Sequence, residues 1–194
     1  MKKLLFLFLF PMSILSQEII YSVYSGPNIS DVPLASNHNN IIKIYGWFDA
    51  LGKNTLIFTA RDGWGEFGEQ NKDLRAYHYT GGGKLLWDIK DFADPKDEYG
   101  IQLDEVKLTD VDNNSVAEVS ILYRLGGGDE VTAKLIMHEE GKKYAIRGKT
   151  GSNDKGKCIY DYDAYGRNSF KYAKPSLKQR ALSFFNNQYN CFRD

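Results

Sequence analysis

The stretch from Asp110 to Glu118, DVDNNSVAE, has the pattern of oxygen-bearing side chains best suited to chemistry in this chain. Counted from Asp110 as position 1, side-chain oxygens stand at positions 1, 3, 5 and 9, on Asp110, Asp112, Asn114 and Glu118. Calcium takes about six to eight oxygen ligands, which a tight loop can supply from alternate side chains and one backbone carbonyl. Val116, at position 7, would offer that carbonyl. The spacing therefore predicts a calcium site formed by these five residues.

Two interpretations of this loop are open. Position 12 is Ile121, where an EF-hand carries a bidentate glutamate, so the sequence argues against an EF-hand. The alternative to a calcium site is a metal-free turn that joins two strands, because Asp and Asn side chains readily bond nearby backbone groups in turns.

The loop resembles the calcium loops of FG-GAP or integrin-α-type (VCBS-like) propeller repeats, whose pattern is Asp-x-Asp-x-Asp-Gly-x-x-Asp/Glu. This chain departs from that pattern at Asn114, where the third Asp is expected, and at Ser115, where Gly makes the sharp turn. Fewer charges and a stiffer turn both weaken a site, so the resemblance implies weak calcium binding. The matching loop of the preceding repeat, residues 49–54, has Leu51 and Lys53 at ligand positions and is expected to bind no metal.

The histidines give no sign of a catalytic group. His38 lies near the start of the chain, whereas His78 and His138 hold equivalent places in two repeats, which indicates packing or surface roles. The chain has no Gly-x-Ser-x-Gly elbow, no phosphate-cradling loop and no Cys–His pair at a useful spacing.

Acidic residues are the remaining basis for catalysis. Asp161 with Asp163, or Asp104 with Glu105, would supply the two carboxylates that glycoside hydrolysis needs. A chain with 25 acidic side chains contains such pairs by composition alone. We therefore expect a non-catalytic protein, and a glycan-processing enzyme that uses acidic residues is the alternative.

Trp64 is a candidate for ligand contact. It lies in Asp62–Gly68, DGWGEFG, whose three glycines predict a loop instead of a strand. An aromatic ring held on such a loop can stack on a sugar face or on a partner protein, or it can fold back over a sheet. The sequence leaves both arrangements open.

The elements that would position these residues are short strands. Eight segments rich in β-branched and aromatic residues are bounded by Gly, Asn and Asp, which predicts antiparallel hairpins. They form two repeat units, about 41–92 and 105–148, each with the form of a four-stranded propeller blade. Two blades cannot close a ring, so we expect two antiparallel meanders packed together, each burying one apolar face. The segments are 41–45, 54–59, 74–79, 84–89, 105–108, 117–123, 132–138 and 143–147.

The C-terminal segment differs from the repeats. Ser176 with Gln179 three residues later forms a capping box, and apolar residues then recur at helical spacing. We expect a helix over about 176–189 that lies on a sheet. The fold prediction is therefore a mostly-β domain with one C-terminal helix.

The chain begins with the three parts of a secretion signal over residues 1–16. Lys2 and Lys3 precede an apolar run over 4–15, and Ser16 precedes a polar residue. The run is shorter than the roughly 20 apolar residues that span a bilayer. After cleavage we expect a loose leader over 17–40 and a single β domain over 41–194, exported to the periplasm, the outer surface or the medium, without a transmembrane segment.

Cys158 and Cys191 are the two cysteines of the chain. Outside the cytoplasm, two cysteines more often form a disulfide than a metal site, so we predict that they are bridged. Two unpaired buried thiols are the alternative.

The charge balance excludes polyanions as partners. The chain has 25 basic and 25 acidic side chains, and removing Lys2 and Lys3 with the signal leaves 23 against 25. The sequence contains no basic stripe of the kind that nucleic-acid-binding proteins carry. We therefore expect no nucleic-acid partner.

Several short motifs follow one another along the chain: WFD (47–49), NTLI (54–57), RAYHY (75–79), LWDIKDF (86–92), TDVD (109–112) and KYAIRG (143–148). Their order is similar to that of a flavobacterial family of exported surface polysaccharide biosynthesis proteins. The resemblance covers nearly the whole mature chain and implies a part in surface polysaccharide or envelope assembly, without a mechanism. We expect an exported β-domain that binds a glycan or an envelope protein, and a structural calcium-stabilised interaction module is the alternative.

Overall fold

The computed structural model of the protein describes residues 17–25, 32–65, 68–94, 96, 99–127, 130–151, 155, 161–162 and 170–188. The predicted signal over 1–16 lies outside these ranges, as do Cys158 and Cys191. The signal and the disulfide therefore stay predictions.

The described residues form eleven strands and one α-helix. Short 3-10 helices lie at Pro33–Asn37, Gly81–Gly83 and Phe170–Tyr172. No helix within the described ranges has the length and hydropathy needed to cross a membrane. The strands and helix are β1 (Gln17–Glu18), β2 (Tyr21–Tyr24), β3 (Ile41–Asp49), β4 (Gly52–Gly65), β5 (Gly68–Thr80), β6 (Lys84–Phe92), β7 (Ile101–Asp110), β8 (Glu118–Leu125), β9 (Glu130–Glu139), β10 (Lys142–Gly151), β11 (Asp161–Tyr162) and α1 (Pro175–Gln188).

The fold is mostly β and contains the two predicted four-stranded meanders. Strands β3 to β6 pair antiparallel in chain order, and β7 to β10 do the same. Strand β2 extends the first meander beside β3, and β11 extends the second beside β10. One residue pair, Asn71 with Ile101, joins β5 to β7 and so links the two meanders. The second meander begins at Ile101 and ends at Gly151, slightly wider than the predicted 105–148.

The two meanders bury one apolar face each in a common core, as predicted. Leu56, Phe58 and Leu74 of the first meander belong to the same buried cluster as Val106 and Ile121 of the second. Successive side chains of a strand point to opposite faces, so Ile57 and Leu122, beside Phe58 and Ile121, belong to other buried clusters. Removing the facing apolar side chains from water drives the pairing of the two sheets.

A column of four rings crosses this core from one meander to the other. Trp47 lies against His78 with ring centroids 4.9 Å apart, His78 meets Trp87 edge-on at 4.9 Å, and Trp87 stacks on His138 at 3.8 Å. The Nε2 of His78 donates to the side-chain oxygen of Asn54 at 3.0 Å. Neither ring nitrogen of His138 has a hydrogen-bond partner among the described residues. Both histidines therefore act in packing, one of the two roles that the sequence indicated.

The C-terminal helix packs on the opposite face of the second meander. Leu177, Ala181 and Phe185 of α1 are buried against Leu135 and Ile146 of the sheet. The predicted helix is confirmed, but it begins at Pro175, one residue before the predicted cap. Proline is favoured at the first helical position because it has no N–H group to leave unbonded, and Ser176 therefore lies inside the helix.

The expectation of a loose leader over 17–40 is wrong for the part of it that the structure describes. Strand β1 pairs with β7, and β2 pairs with β3. The 3-10 helix Pro33–Asn37 places Ala35 against Ile44 and Ile57 on the outer face of the first meander. Burial of these few apolar side chains fixes a segment whose overall composition is polar.

The expectation that Trp64 lies in a loop is also wrong. Trp64 is part of β4 and pairs with Glu69 of β5. Gly63 pairs with Gln70 and Gly65 with Gly68, so these glycines belong to the paired strands of this hairpin. The side chain of Trp64 is outside what the structure describes, and its contact with a ligand stays a prediction.

The ring column predicts an acid-sensitive core. Burial lowers the pKa of His78 from 6.5 to about 4 and that of His138 from 6.5 to about 3. Below about pH 6.5 both histidines become protonated in the unfolded chain but stay neutral in the native protein. The free energy of unfolding is therefore highest above that pH and falls as the pH is lowered. His138→Phe keeps a ring against Trp87 and removes one of these groups.

We expect the unfolding free energy of His138→Phe, measured by chemical denaturation from about pH 7 to about pH 4.5, to fall less steeply than that of the wild type. One fewer proton taken up on unfolding changes the slope by up to about 1.4 kcal/mol per pH unit. Equal slopes for the two proteins would show that His138 is already charged in the native state or exposed to solvent.

Candidate functional site

The loop between β7 and β8 brings together the three carboxylates that the sequence predicted. One side-chain oxygen each from Asp110, Asp112 and Glu118 lies within 4.8 Å of the other two. Asp110 is held by the backbone, since Asn114 N–H donates to its Oδ1 and Ser115 N–H to its Oδ2, each at 3.0 Å. The three acidic groups are therefore fixed close together by the loop.

The tightness of the loop comes from two left-handed residues. Asn113 has φ of 57° and Ser115 has φ of 64°. Asn adopts this conformation more easily than most residues, whereas Ser at a position suited to Gly carries a steric cost. Ser115 thus makes the sharp turn for which the sequence pattern would place a glycine.

Glu118 is the least satisfied of the three carboxylates. Only 1% of its surface is exposed, and its Oε2 accepts a hydrogen bond from the Val111 N–H at 2.7 Å. Its Oε1 is buried and has no partner among the described residues. Burial, followed by the charges of Asp112 and Asp110, raises the pKa of Glu118 from 4.5 to about 7. The negative charge on this side chain is therefore costly in the absence of a nearby cation.

The side chain of Asn114 takes part in hydrogen bonds within the loop and to its neighbours. The side-chain oxygen of Asn114 accepts a hydrogen bond from the Val116 N–H at 2.7 Å, which closes an Asx turn. The amide group of Asn114 donates to Asp112 at 3.3 Å and to Glu140 at 2.8 Å. Of the five predicted ligands, three bring their carboxylates together as a possible cation site, and the side-chain oxygen of Asn114 bonds within the turn. A calcium ligand from the Val116 carbonyl stays a prediction.

Lys174 is a neighbour of the loop that the sequence did not reveal. Its ammonium group forms an ion pair with Asp112 and a second one with Glu139, the latter at 2.6 Å. Asp112 and Glu139 are largely buried, whereas the Lys174 side chain is 50% exposed. These two carboxylates raise the pKa of Lys174. Lys174 immediately precedes α1, so the loop carboxylates are tied electrostatically to the start of the C-terminal helix.

The first repeat's matching loop serves as a structural partner of this loop. The Oδ1 of Asp49 accepts from Leu51 N–H and from the Asn54 amide, each at 2.8 Å. Its Oδ2 accepts from the Trp47 indole at 2.9 Å and from the Ala117 N–H of the second meander at 3.1 Å. That this loop binds no metal stays a prediction, but its aspartate joins the two repeats.

A backbone contact reinforces this junction. The Ala50 N–H donates to the carbonyl oxygen of Ser115 at 2.7 Å. The β3–β4 turn and the β7–β8 loop are therefore bonded through both main chain and side chain. Any ligand that changes the 110–118 loop also acts on the joint between the meanders.

The other acidic candidates are engaged in ion pairs or lie outside the description. Asp104 accepts a bidentate pair of hydrogen bonds from the guanidinium of Arg124, and Glu105 forms an ion pair with Lys107 at 3.3 Å. Asp163 lies outside the described residues. Asp104 and Glu105 are thus occupied in stabilising their own sheet.

Comparisons with protein-family models, with curated proteins and with solved structures find no match to this chain. Functional inference therefore rests on the geometry of the described residues. Three carboxylates with oxygens within 4.8 Å of one another, one of them with a buried oxygen that has no described partner, form a group of oxygen donors suited to a hard cation.

Proposed function

We propose that the protein is an exported, non-catalytic β-domain that supports surface polysaccharide or envelope assembly by binding a glycan or an envelope protein, and that its 110–118 loop takes up calcium. The observation that carries the calcium part is the cluster of Asp110, Asp112 and Glu118, with the buried, unbonded Oε1 of Glu118. The export and pathway parts rest on the N-terminal signal pattern and on the family resemblance. Hydrolysis of the producing cell's own surface polysaccharide by the purified protein would instead favour a glycan-processing enzyme.

The donor chemistry of the cluster favours calcium over transition metals. The three charged donors are carboxylate oxygens, and no cysteine or histidine belongs to the cluster as described. Calcium prefers oxygen ligands, accepts irregular geometry and completes its shell with water and carbonyl groups. A bound ion would neutralise Glu118 in its charged form and remove the repulsion among the three groups.

The position of the loop connects calcium to a binding role. Ser115 and Ala117, which lie between Asp112 and Glu118, bond to the β3–β4 turn of the first meander. A cation that orders the loop would therefore also order the joint between the two sheets. A rigid joint holds the surfaces of both meanders in one arrangement, which lowers the entropic cost of binding a partner.

Lys174 competes with calcium in this proposal. Its ammonium group already partners Asp112, so a divalent ion at the cluster would bring two cations to one carboxylate. Repulsion between them weakens calcium binding or displaces the lysine toward Glu139. Together with the uncharged Asn114, this places the expected dissociation constant in the weak range of extracellular calcium modules, about 10⁻⁴ to 10⁻³ M.

Calcium is expected to raise the melting temperature of the mature protein, and Asp112→Ala is expected to abolish the rise. At about a hundredfold excess over the dissociation constant, binding stabilises the native state by about 2.7 kcal/mol. That corresponds to an upward shift of about 5–10 °C for a chain of this length. The measurement is a thermal melt in calcium and in chelator, with Asp88→Ala, on the exposed part of β6, as the matched carboxylate control.

Only a response that is present in the wild type and Asp88→Ala but lost in Asp112→Ala supports the site. If calcium does not raise the melting temperature of the wild type, the loop is a metal-free turn. An equal response in all three proteins would place the calcium elsewhere.

Lys174→Gln is expected to bind calcium about tenfold more tightly than the wild type, because the competing ammonium group is gone. Isothermal titration with calcium chloride measures this directly. The control is Lys90→Gln, since Lys90 is 51% exposed and also ion-paired, as Lys174 is, but lies on β6 of the first meander. Tightened binding in both variants would indicate a general charge effect, and unchanged binding in Lys174→Gln would show that the lysine does not compete.

A further inference from the structure

A polar groove lies on the outer face of the first meander, away from the common core. The 3-10 helix Pro33–Asn37 covers one part of this face, where Ala35 packs on Ile44 and Ile57. Beyond the helix, residues 38–40 lead to β3, and Asn40 is bonded to Ala60 of β4. The groove is the space between this segment and the sheet.

The groove has a floor of strand residues and a wall of asparagines. Its volume is about 360 Å³, within the range of small-ligand sites. Strands β4 and β5 supply the floor, and the wall is the run from residue 37 to residue 40. The floor consists of Thr59, Ala60, Asp73, Arg75 and Tyr77, and the wall of Asn37, His38, Asn39 and Asn40.

The wall is held rigidly against the sheet by His38 and Asn40. The imidazole of His38 lies on the ring of Tyr77 with centroids 4.5 Å apart, and its Nε2 is 2.8 Å from the Tyr79 hydroxyl. The carbonyl oxygen of Asn40 accepts from the Ala60 N–H at 3.0 Å. A groove fixed in this way loses little conformational freedom when a ligand enters.

The described residues of the floor carry no net charge. The guanidinium of Arg75 donates to Asp73 from Nε at 3.2 Å and from a terminal nitrogen at 3.0 Å, and it also bonds Tyr77. Burial lowers the pKa of His38, which keeps its ring uncharged at neutral pH. The lining therefore presents one internally neutralised ion pair and otherwise uncharged groups.

The wall presents polar groups for which no protein partner is described. The side chains of Asn37, Asn39 and Asn40 are exposed and make no hydrogen bond to any other described residue. Each amide carries two donors and one acceptor oxygen. Three such amides beside an Asp–Arg pair and two aromatic rings make a surface that offers donors, acceptors and a small apolar contact together.

We infer that this groove binds a neutral saccharide unit of a longer glycan. Hydroxyl groups on neighbouring sugar carbons both donate and accept, which matches the amides of the wall, and the ring carbons of a sugar can rest against Tyr77 and His38. The open Asn wall leaves room for the chain to continue on either side of the bound unit. This inference rests on the proposed binding role, and it names the ligand class and the place.

Other ligand chemistries fit the groove less well. Arg75 and Asp73 form an ion pair. An anionic ligand would have to compete with Asp73 for Arg75, and a cation would have to compete with Arg75 for Asp73. A hydrophobic ligand would cover polar groups without bonding them, because Ala60 is the one aliphatic residue among the described residues of the lining. A neutral ligand rich in hydroxyl groups avoids both penalties.

The test is an NMR titration of the ¹⁵N-labelled mature protein with neutral oligosaccharides of glucose, galactose, mannose and N-acetylglucosamine, and with oligogalacturonate as the acidic probe. We expect at least one neutral probe to shift the backbone amides of 37–40 and the side-chain amides of Asn37 and Asn39. The Asn37→Ala, Asn39→Ala double variant should bind that probe at least about tenfold more weakly, because two ligand hydrogen bonds are lost. Both side chains are exposed, so the variant keeps its fold, and its spectrum reports this directly.

The matched control is the Asn186→Ala, Asn187→Ala double variant on α1, which should bind as the wild type does. The inference is overturned if no neutral probe shifts the groove amides, if the acidic probe alone binds, or if the groove variant binds as tightly as the wild type. Its failure is distinct from failure of the calcium proposal. The groove variant should keep the calcium-dependent rise in melting temperature, and Asp112→Ala should keep saccharide binding in the groove.

Discussion

The junction of the two meanders depends on the hydrogen bonds that the carboxylate of Asp49 accepts. This carboxylate accepts hydrogen bonds from the Leu51 backbone, the Asn54 amide, the Trp47 indole and the Ala117 backbone of the second meander. A carboxylate bonded by four donors has one orientation, so the β3–β4 turn, the first ring of the column and the 110–118 loop are positioned together. Without it, partly buried N–H groups of both meanders would lose their acceptor, and each such loss costs about 1–3 kcal/mol.

The same contact determines how the acidic loop is presented. Ala117 is bonded to the first meander and Glu118 begins β8, so the loop must return to the sheet in a tight turn with its carboxylates crowded on one side. Lys174 relieves part of this crowding from the C-terminal side of the domain. In the proposed calcium-bound state, the metal takes over that task. The two repeats thus use corresponding aspartates differently: Asp49 binds the partner repeat, and Asp110 belongs to the candidate cation site.

The features predicted from sequence are those set by short-range pattern. Segments rich in β-branched and aromatic residues, bounded by Gly, Asn and Asp, predicted the eight strands β3 to β10. The spacing of Asp110, Asp112 and Glu118 predicted that their carboxylates come together. Lys174 could not be found in this way, because 62 residues separate it from Asp112 and only tertiary packing joins them. The leader was judged by its polar composition, yet a few apolar contacts around Ala35 fix it to the sheet, and the groove beside it was missed for that reason. The glycines around Trp64 predict a loop, but in the structure they are paired residues of a long hairpin.

The most direct measurement of the central claim, that Asp49 joins the two meanders, is the free energy of unfolding of Asp49→Ala against Asp88→Ala by chemical denaturation. Asp88 lies on the exposed surface of its strand in an ion pair with Lys90, and its loss should change stability by less than about 0.5 kcal/mol. Asp49→Ala should lose about 3 kcal/mol, and the Ala117 amide should exchange its hydrogen faster than in the wild type. Equal stability of the two variants, with unchanged exchange at Ala117, would contradict the claim.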